Sequence, residues 1–169
     1  LFDHANVNSC TDCHNTHSLQ VDTESCIECH EEMEESEDIA DIRYNYADYD
    51  GNGDDEEGVA GEIEALHGML YEAIQAYAAD EIGTGVVYDS HSYPYFFTDG
   101  NGNGEVDEDE ADFGNRYGTW TPRLLRAAYN YQYVAKDPGA FTHNTPYVVQ
   151  ILQDSLADLG VDVSEMERP

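Results

Sequence analysis

The chain has 169 residues, 40% of them hydrophobic, which is enough for one domain with a modest core. Its 37 Asp and Glu residues outnumber six Lys and Arg, so the formal net charge is −31. Such a charge repels nucleic acid and anionic lipid, and no stretch approaches the roughly twenty apolar residues of a membrane span. We therefore expect no nucleic acid partner and no membrane span. No signal peptide is visible at Leu1, so an exported protein would already have lost it.

The first 35 residues contain all four cysteines, arranged as two Cys-x-x-Cys-His motifs. Two thiols three positions apart lie on one side of a helical turn and can bond both vinyl groups of one porphyrin. The following histidine can then bind the iron as the proximal ligand. We therefore predict two haem c groups. The residues that would attach them are Cys10, Cys13 and His14 for the first haem, and Cys26, Cys29 and His30 for the second.

Two other readings of the cysteines are possible. Two Cys-x-x-Cys pairs can also bind one tetrahedral zinc ion, and such a pair can carry out thiol–disulfide exchange. Neither activity requires a histidine directly after both pairs, and this chain has one in each place. The pattern therefore favours haem.

Two haem irons need two more axial ligands, and five histidines remain: His4, His17, His67, His91 and His143. His17 follows His14 too closely to reach the far face of the same haem, but it can reach the haem on Cys26 and Cys29. His4 has a tether long enough to fold over the first haem.

The other candidates have competing structural interpretations. His67 lies beside Leu66 and Leu70 on the apolar side of a predicted helix, where it would be either a ligand or a satisfied core residue. His143 directly precedes a predicted helix start, and we keep it as a further candidate ligand.

Residues 36–58 are acidic and contain the first of two candidate calcium loops. Asp48, Asp50, Asn52 and Asp54 have the alternating spacing of a 12-residue calcium loop, with Gly53 at its turn. The twelfth position is Val59, so the closing carboxylate must come from elsewhere. The candidates for it are Glu57 and Glu62.

A helix is predicted from about Glu57 to Asp80. Its apolar positions follow spacings of four and three, and Gly83 ends it. Residues 84–97 are rich in Val, Tyr and Phe and indicate a short strand or an aromatic loop. The apolar positions of the helix are Val59, Ile63, Leu66, Leu70 and Ile74.

The second acidic run, 99–110, matches the whole calcium-loop pattern. Alternate oxygens would converge on one ion, Gly104 would permit the turn, and the last residue would bind with both oxygens. We predict one to two calcium ions in total, acting as structural staples. The predicted ligands here are Asp99, Asn101, Asn103, Glu105 through its carbonyl, and Glu110.

Two helices close the chain. Thr121 and Pro122 provide an N-cap and a first helical residue, and the apolar stripe is Leu124, Ala128, Tyr131 and Ala135. Thr145 and Pro146 repeat this start for a helix that ends at Gly160. The apolar stripe of the second helix is Val148, Leu152, Leu156 and Leu159.

The C-terminal stretches 120–132 and 136–144 resemble the C-terminal part of large extracellular multihaem c-type cytochromes of bacteria and archaea. The 10–19 stretch and the 48–53 loop are similar too. The resemblance implies bis-histidine, low-spin haems that pass electrons across a cell envelope or beyond it. Some proteins of this kind polymerise into filaments with a continuous haem chain. This sequence departs from the large members in having only two haem motifs.

These observations predict a mainly α fold with much irregular loop, in which an N-terminal di-haem segment (1–35) packs on a small helical domain with calcium-binding loops (36–169). The expected function is extracellular electron transfer without catalysis, at the cell surface or beyond it, with a periplasmic location as the alternative. Expected partners are other copies, which would form a homo-polymer with haem-to-haem contacts, and other redox proteins or extracellular acceptors. The alternative functions are a haem peroxidase or reductase with one open haem site, and a zinc- and calcium-stabilised binding module.

Overall fold

A computed structural model describes residues 7–27, 29–30, 33, 39–43 and 45–169. The fold is mainly helical, as the sequence predicts. Within these residues, two short strands and the 3₁₀ turns Cys10–Asp12 and Phe113–Asn115 accompany the helices. The helices are α1 (Glu24–Ile27), α2 (Val59–Tyr77), α3 (Pro122–Ala135), α4 (Ala140–His143) and α5 (Thr145–Leu159). The strands are β1 (Val86–Tyr88) and β2 (Phe96–Thr98).

Helix α2 buries the five apolar positions that the sequence predicts, because they recur on one face of a 3.6-residue period. It begins two residues later than expected, since Gly58 is extended and forms the N-cap. The α-helix ends at Tyr77 and continues as one π turn, Ala78–Ile82. Gly83 then ends the segment with a φ of +77°, a conformation that glycine adopts without steric cost.

Helix α3 begins as predicted, with the Thr121 hydroxyl accepting a hydrogen bond from the Leu124 N–H at 3.2 Å. The predicted apolar stripe is wrong at its end: Ala135 is exposed and Val134 is buried instead.

The predicted N-cap of α5 is also wrong, because Asn144 is the N-cap and Thr145 is the first helical residue. The Thr145 hydroxyl donates to the Phe141 carbonyl, so this side chain secures the preceding turn and does not cap α5.

Helices α2, α3 and α5 pack against one another around a single core, and α4 packs on α2 and α5. Strands β1 and β2 are antiparallel, with Val87 opposite Phe97, and β1 lies on α2. The region predicted as one strand or an aromatic loop is therefore a pair of strands joined by a turn. Of the helices in the described part of the chain, none is both long and apolar enough to span a bilayer.

Candidate haem and cation sites

Both Cys-x-x-Cys-His motifs adopt the same turn. In the first, the N–H groups of Cys13 and His14 donate to the Cys10 carbonyl at 3.3 and 2.8 Å. In the second, the N–H groups at the equivalent positions, 29 and 30, donate to the Cys26 carbonyl at 3.1 and 2.9 Å. Both motifs thus have the single helical turn from which two thiols and an imidazole could bind one porphyrin.

The two motifs are close together in space. The Asp22 N–H, just before the second motif, donates to the Cys13 carbonyl at 2.8 Å. Burial raises the pKa of the Cys13 thiol, and negative charge at Cys26, Asp12 and Cys10 raises that pKa further. The hydrogen bond from Asp22 to Cys13 therefore brings the segment that leads into the second motif against the first motif.

The imidazole of His14 lies beside the imidazole of His143, at the end of α4. Their ring centroids are 6.3 Å apart and the planes differ by 50°. Iron–nitrogen bonds of about 2 Å on both sides of one iron place two imidazole centres roughly 6 Å apart. The observed separation therefore fits one metal ion between the two rings.

The hydrogen bonds of both rings leave the same nitrogen available. His14 Nδ1 lies 2.8 Å from the Leu19 carbonyl oxygen, and His143 Nδ1 lies 2.8 Å from Asp137 Oδ1. Carbonyl and carboxylate oxygens only accept, so each Nδ1 carries the proton. In the neutral imidazoles the lone pairs are therefore on Nε2, the atom that can bind a metal.

A glycine gives the His143 ring its position. A Cβ built on Gly139 would lie 2.6 Å from Cε1 and 2.9 Å from Nε2 of His143. A larger residue would therefore displace the ring. The pairing of His143 with His14 and its hydrogen bond to Asp137 were both missed from sequence, although a carboxylate at a turn six residues before a histidine is a detectable signal.

The other candidate ligands have varied positions. His17 is exposed, and its backbone N–H donates to Asn15 Oδ1 at 2.9 Å. His67 lies in the bundle, where Nε2 is 2.9 Å from the Tyr131 carbonyl oxygen and the ring stacks on Tyr131 at 4.0 Å. Burial lowers the pKa of His67, so the neutral form is favoured. His4 lies outside the described residues, so its predicted ligation stays a prediction.

The zinc alternative gains no support from the geometry. All four cysteines are free of disulfide bonds. Within the described part of the chain, the one group of three or more His, Cys, Asp or Glu ligand atoms within 4.8 Å of one another contains no cysteine.

Comparison with known proteins agrees with the haem motifs. The C-type polyheme cytochrome OmcB of Geobacter sulfurreducens is 29% identical over 92 residues, which are 50% of this chain and 12% of OmcB. OmcC of the same species, also a C-type polyheme cytochrome, is 31% identical over 108 residues, 59% of this chain and 13% of OmcC. The chain therefore has weak sequence homology, over about half of its length, to polyheme c-type cytochromes. It spans about an eighth of the length of these two relatives. No family model and no solved structure matches it.

The first candidate cation loop of this chain is organised around Asp48. Its carboxylate accepts hydrogen bonds from the N–H groups of Gly51 and Gly53 at 2.7 and 2.8 Å. Asp50 Oδ1 accepts from the Asn52 N–H at 3.0 Å. Asn52 Oδ1 accepts in turn from the N–H two residues further on, at 2.7 Å. Acidic and amide oxygens are thereby held along the inside of a tight turn.

The second loop repeats this scheme at the same offsets. The Asp99 carboxylate accepts from the N–H groups of Gly102 and Gly104 at 2.6 and 2.9 Å. Asn101 accepts from the Asn103 N–H at 2.9 Å, and Asn103 accepts from the N–H of residue 105 at 2.8 Å. The two loops therefore share one backbone course, although only the second matches the full sequence pattern.

The closing carboxylates also correspond. Glu110 Oε1 accepts from the N–H of Gly100, the second loop residue, at 2.7 Å. In the first loop Glu62 Oε2 accepts from the equivalent N–H of Tyr49 at 2.8 Å. Glu57, the other candidate, accepts instead from the Asn52 side-chain amide at 3.0 Å. Of the two predicted closing residues, Glu62 therefore occupies the position equivalent to Glu110.

The first loop concentrates negative charge in a buried place. The ligand atoms of Asp48, Asp50 and Glu62 lie within 4.8 Å of one another, and Glu62 is completely buried. Burial raises the pKa of Asp50 to about 6, and the charge of Glu62 raises it in the same direction. Arg43 Nη1, 2.8 Å from Glu62 Oε1, partly compensates this charge. Arg43 was missed because nothing in its sequence surroundings marks it as part of the loop.

Side chains and backbone from the far end of the chain fasten the first loop to the bundle. Gln153 Nε2 donates to the carbonyls of Tyr49 and Glu167 at 2.8 and 2.7 Å. The Glu167 N–H donates to the Asp48 carbonyl at 2.7 Å. The second loop is attached to α2 by the Gln75 side chain, which donates to the Gly104 carbonyl at 2.7 Å.

Proposed function

We propose that this cytochrome transfers electrons outside the cell through two covalently attached haem c groups. The observation that carries the proposal is the opposed pair of His14 and His143, with both Nε2 atoms available and ring centres 6.3 Å apart. Two strong axial imidazoles fill both open positions of an iron, which suits electron transfer and leaves no position for a substrate.

The first haem would be held by residues from two distant parts of the chain. Cys10 and Cys13 would bond it covalently, and His14 would bind from the same turn. His143 replaces His4 as our proposed second ligand, because its ring already faces His14. When bound, the haem iron supplies reversible one-electron chemistry; the protein supplies ligands, orientation and local charge.

The second haem would be attached at Cys26 and Cys29, with His30 as its proximal ligand. His17 stays our candidate for its sixth ligand, because it is exposed and belongs to the neighbouring motif. The contact between the segments that carry the two motifs supports this choice. Neighbouring attachment sites would keep the two irons close enough for rapid electron exchange.

The test compares His143→Ala with His91→Ala, a histidine whose side chain is 92% exposed. We expect His143→Ala to convert one of the two haems from low-spin to high-spin and to allow carbon monoxide to bind its reduced form. His91→Ala should leave both haems low-spin. Two low-spin haems in His143→Ala would contradict the His14–His143 pairing. Absence of covalent haem in the denatured wild-type chain would contradict the whole proposal.

We also propose that the two acidic loops bind calcium. Their shared hydrogen-bonding scheme aligns oxygens in the manner of calcium loops, and a bound ion would offset the repulsion among Asp48, Asp50 and Glu62. Chelating calcium at low ionic strength should lower the melting temperature, since a ligand bound only to the folded state stabilises it. Equal melting temperatures with calcium and with chelator would contradict this part of the proposal.

Assembly of many copies into a haem-conducting polymer is the third part of the proposal. Among the described residues of the haem segment, three large apolar side chains are exposed: Leu19 by 72%, Val21 by 42% and Ile27 by 40%. Haem or a neighbouring copy would cover them. Electron microscopy of the haem-loaded chain at high salt with calcium should show filaments, because both conditions reduce repulsion between chains of charge −31. Monomers under all such conditions would contradict assembly.

A further inference from the structure

We propose that Asp137 is a positioning residue that lowers the reduction potential of the first haem through His143. The inference rests on the proposed pairing of His14 with His143. It concerns a residue that binds neither haem nor metal, and it assigns to that residue a measurable electrochemical effect.

The Asp137 carboxylate is fixed by a backbone hydrogen bond as well as by its hydrogen bond to the His143 imidazole. Asp137 lies in the turn between α3 and α4, where its Oδ1 accepts the Gly139 N–H at 3.1 Å. The same oxygen accepts from His143 Nδ1 at 2.8 Å. The His143 N–H donates to the Gly139 carbonyl at 2.8 Å, so backbone and side chain are fixed within one turn. The ring orientation is therefore set by Asp137.

The two imidazoles of the pair have different partners. His14 Nδ1 donates to a neutral carbonyl, that of Leu19, whereas His143 Nδ1 donates to a carboxylate. A carboxylate partner increases the electron density of the imidazole and makes Nε2 a stronger donor. A stronger donor stabilises the oxidised, more positive iron over the reduced iron, so the reduction potential falls. This effect acts on one of the two haems only.

Exposure to solvent does not abolish the effect of Asp137 on the reduction potential. The Asp137 side chain is 26% exposed and that of His143 is 52% exposed, which weakens a bare charge–charge interaction. The influence of Asp137 passes through a direct hydrogen bond to a ligand of the iron, so it depends much less on screening than a charge at a distance.

The experiment measures both reduction potentials of the haem-loaded chain by spectroelectrochemistry, with electron paramagnetic resonance of the oxidised form. Asp137→Asn keeps an acceptor oxygen and removes the charge; Asp137→Ala removes both. The matched control is Asp154→Asn, which also removes one charge from a surface carboxylate, paired with Arg168 at 2.8 Å. All variants change the net charge by the same amount.

We expect Asp137→Asn to raise one potential and leave the other unchanged, with both haems still low-spin. Asp137→Ala should raise the same potential further and alter the resonance spectrum of that haem. Asp154→Asn should change neither. The inference is overturned if Asp137→Asn and Asp154→Asn give the same two potentials, or if Asp137→Asn moves both potentials equally.

The His143→Ala variant separates this inference from the proposed function. If it yields a high-spin haem while Asp137→Asn leaves both potentials unchanged, the pairing holds and the role of Asp137 is refuted. If both haems stay low-spin in His143→Ala, the pairing itself is refuted, and the role of Asp137 with it.

Discussion

The haem-motif segment and the helical bundle are held together by different forces. In the segment, Met33 is the one buried residue among those of 7–27, 29–30 and 33 whose burial is described. Its order comes from short-range backbone hydrogen bonds around Cys10 and Cys26. The bundle instead buries a continuous core from α2, α3 and α5. One region is thus suited to be completed by a cofactor, and the other is a scaffold that carries His143 to it.

The largest expected effect is the loss of one covalent haem from the haem-motif segment. Replacing Cys10 and Cys13 together by Ala should remove one covalent haem completely, because no thiol remains to attach it. Mass spectrometry of the denatured chain should show a loss equal to one haem, while the helical circular dichroism of the bundle persists. The Cys26→Ala, Cys29→Ala pair serves as the matched variant, with the same loss expected at the other motif. An unchanged mass in either variant would refute the assignment.

The next effect tests the bundle. Leu152 on α5 is completely buried, so Leu152→Ala should lower the free energy of unfolding by about 2–5 kcal/mol. Leu125→Ala on α3 is the control, since Leu125 is 51% exposed and its truncation leaves no cavity. Chemical denaturation followed by circular dichroism measures both. Similar losses of the free energy of unfolding in Leu152→Ala and Leu125→Ala would contradict the burial of Leu152 in the core.

A smaller effect distinguishes the two cation loops by the free energy of unfolding that each loses when its closing carboxylate is replaced. In calcium-free solution Glu62→Gln should lower the free energy of unfolding by about 1.5–3 kcal/mol, because Arg43 loses its charged acceptor. Glu110→Gln should cost less, since the glutamine oxygen can still accept from the Gly100 N–H at 2.7 Å, and the Asp107 N–H that loses its acceptor makes only a long bond of 3.4 Å. Denaturation in chelator ranks the variants, and the opposite order would contradict the stabilising role of the Arg43–Glu62 ion pair.

The smallest effect is a pH dependence of the bundle. His67 has its pKa lowered below the ordinary 6.5 by burial, so the folded state resists its protonation. Its stabilising contribution is complete above pH 6.5 and is lost as the pH falls toward the folded-state pKa, because only the unfolded chain gains the proton. His67→Phe retains a ring against Tyr131 and should lose less stability between pH 7.5 and 5.5 than the wild type. If the free energy of unfolding falls equally with pH in His67→Phe and in the wild type, groups other than His67 cause the acid sensitivity.

Residues that are close in sequence were predicted well. The turns of both Cys-x-x-Cys-His motifs, the buried face of α2 and the cap at Thr121 depend on neighbours within one or two helical turns, and the structure has them. The ends of elements were predicted less well. Asn144 replaced Thr145 as the α5 cap because the short helix α4 ends immediately before it.

The sequence by itself predicted the chemical class of this protein, because covalent haem attachment depends on a short motif whose residues lie within one turn. It also determined that the chain carries two acidic loops. Only the tertiary structure brought together the distant groups that we propose for these sites: His143 and Asp137 beside His14, and Glu62 and Arg43 at the first loop. Their partners are separated from them along the chain, and it is the packing of the bundle that brings them together.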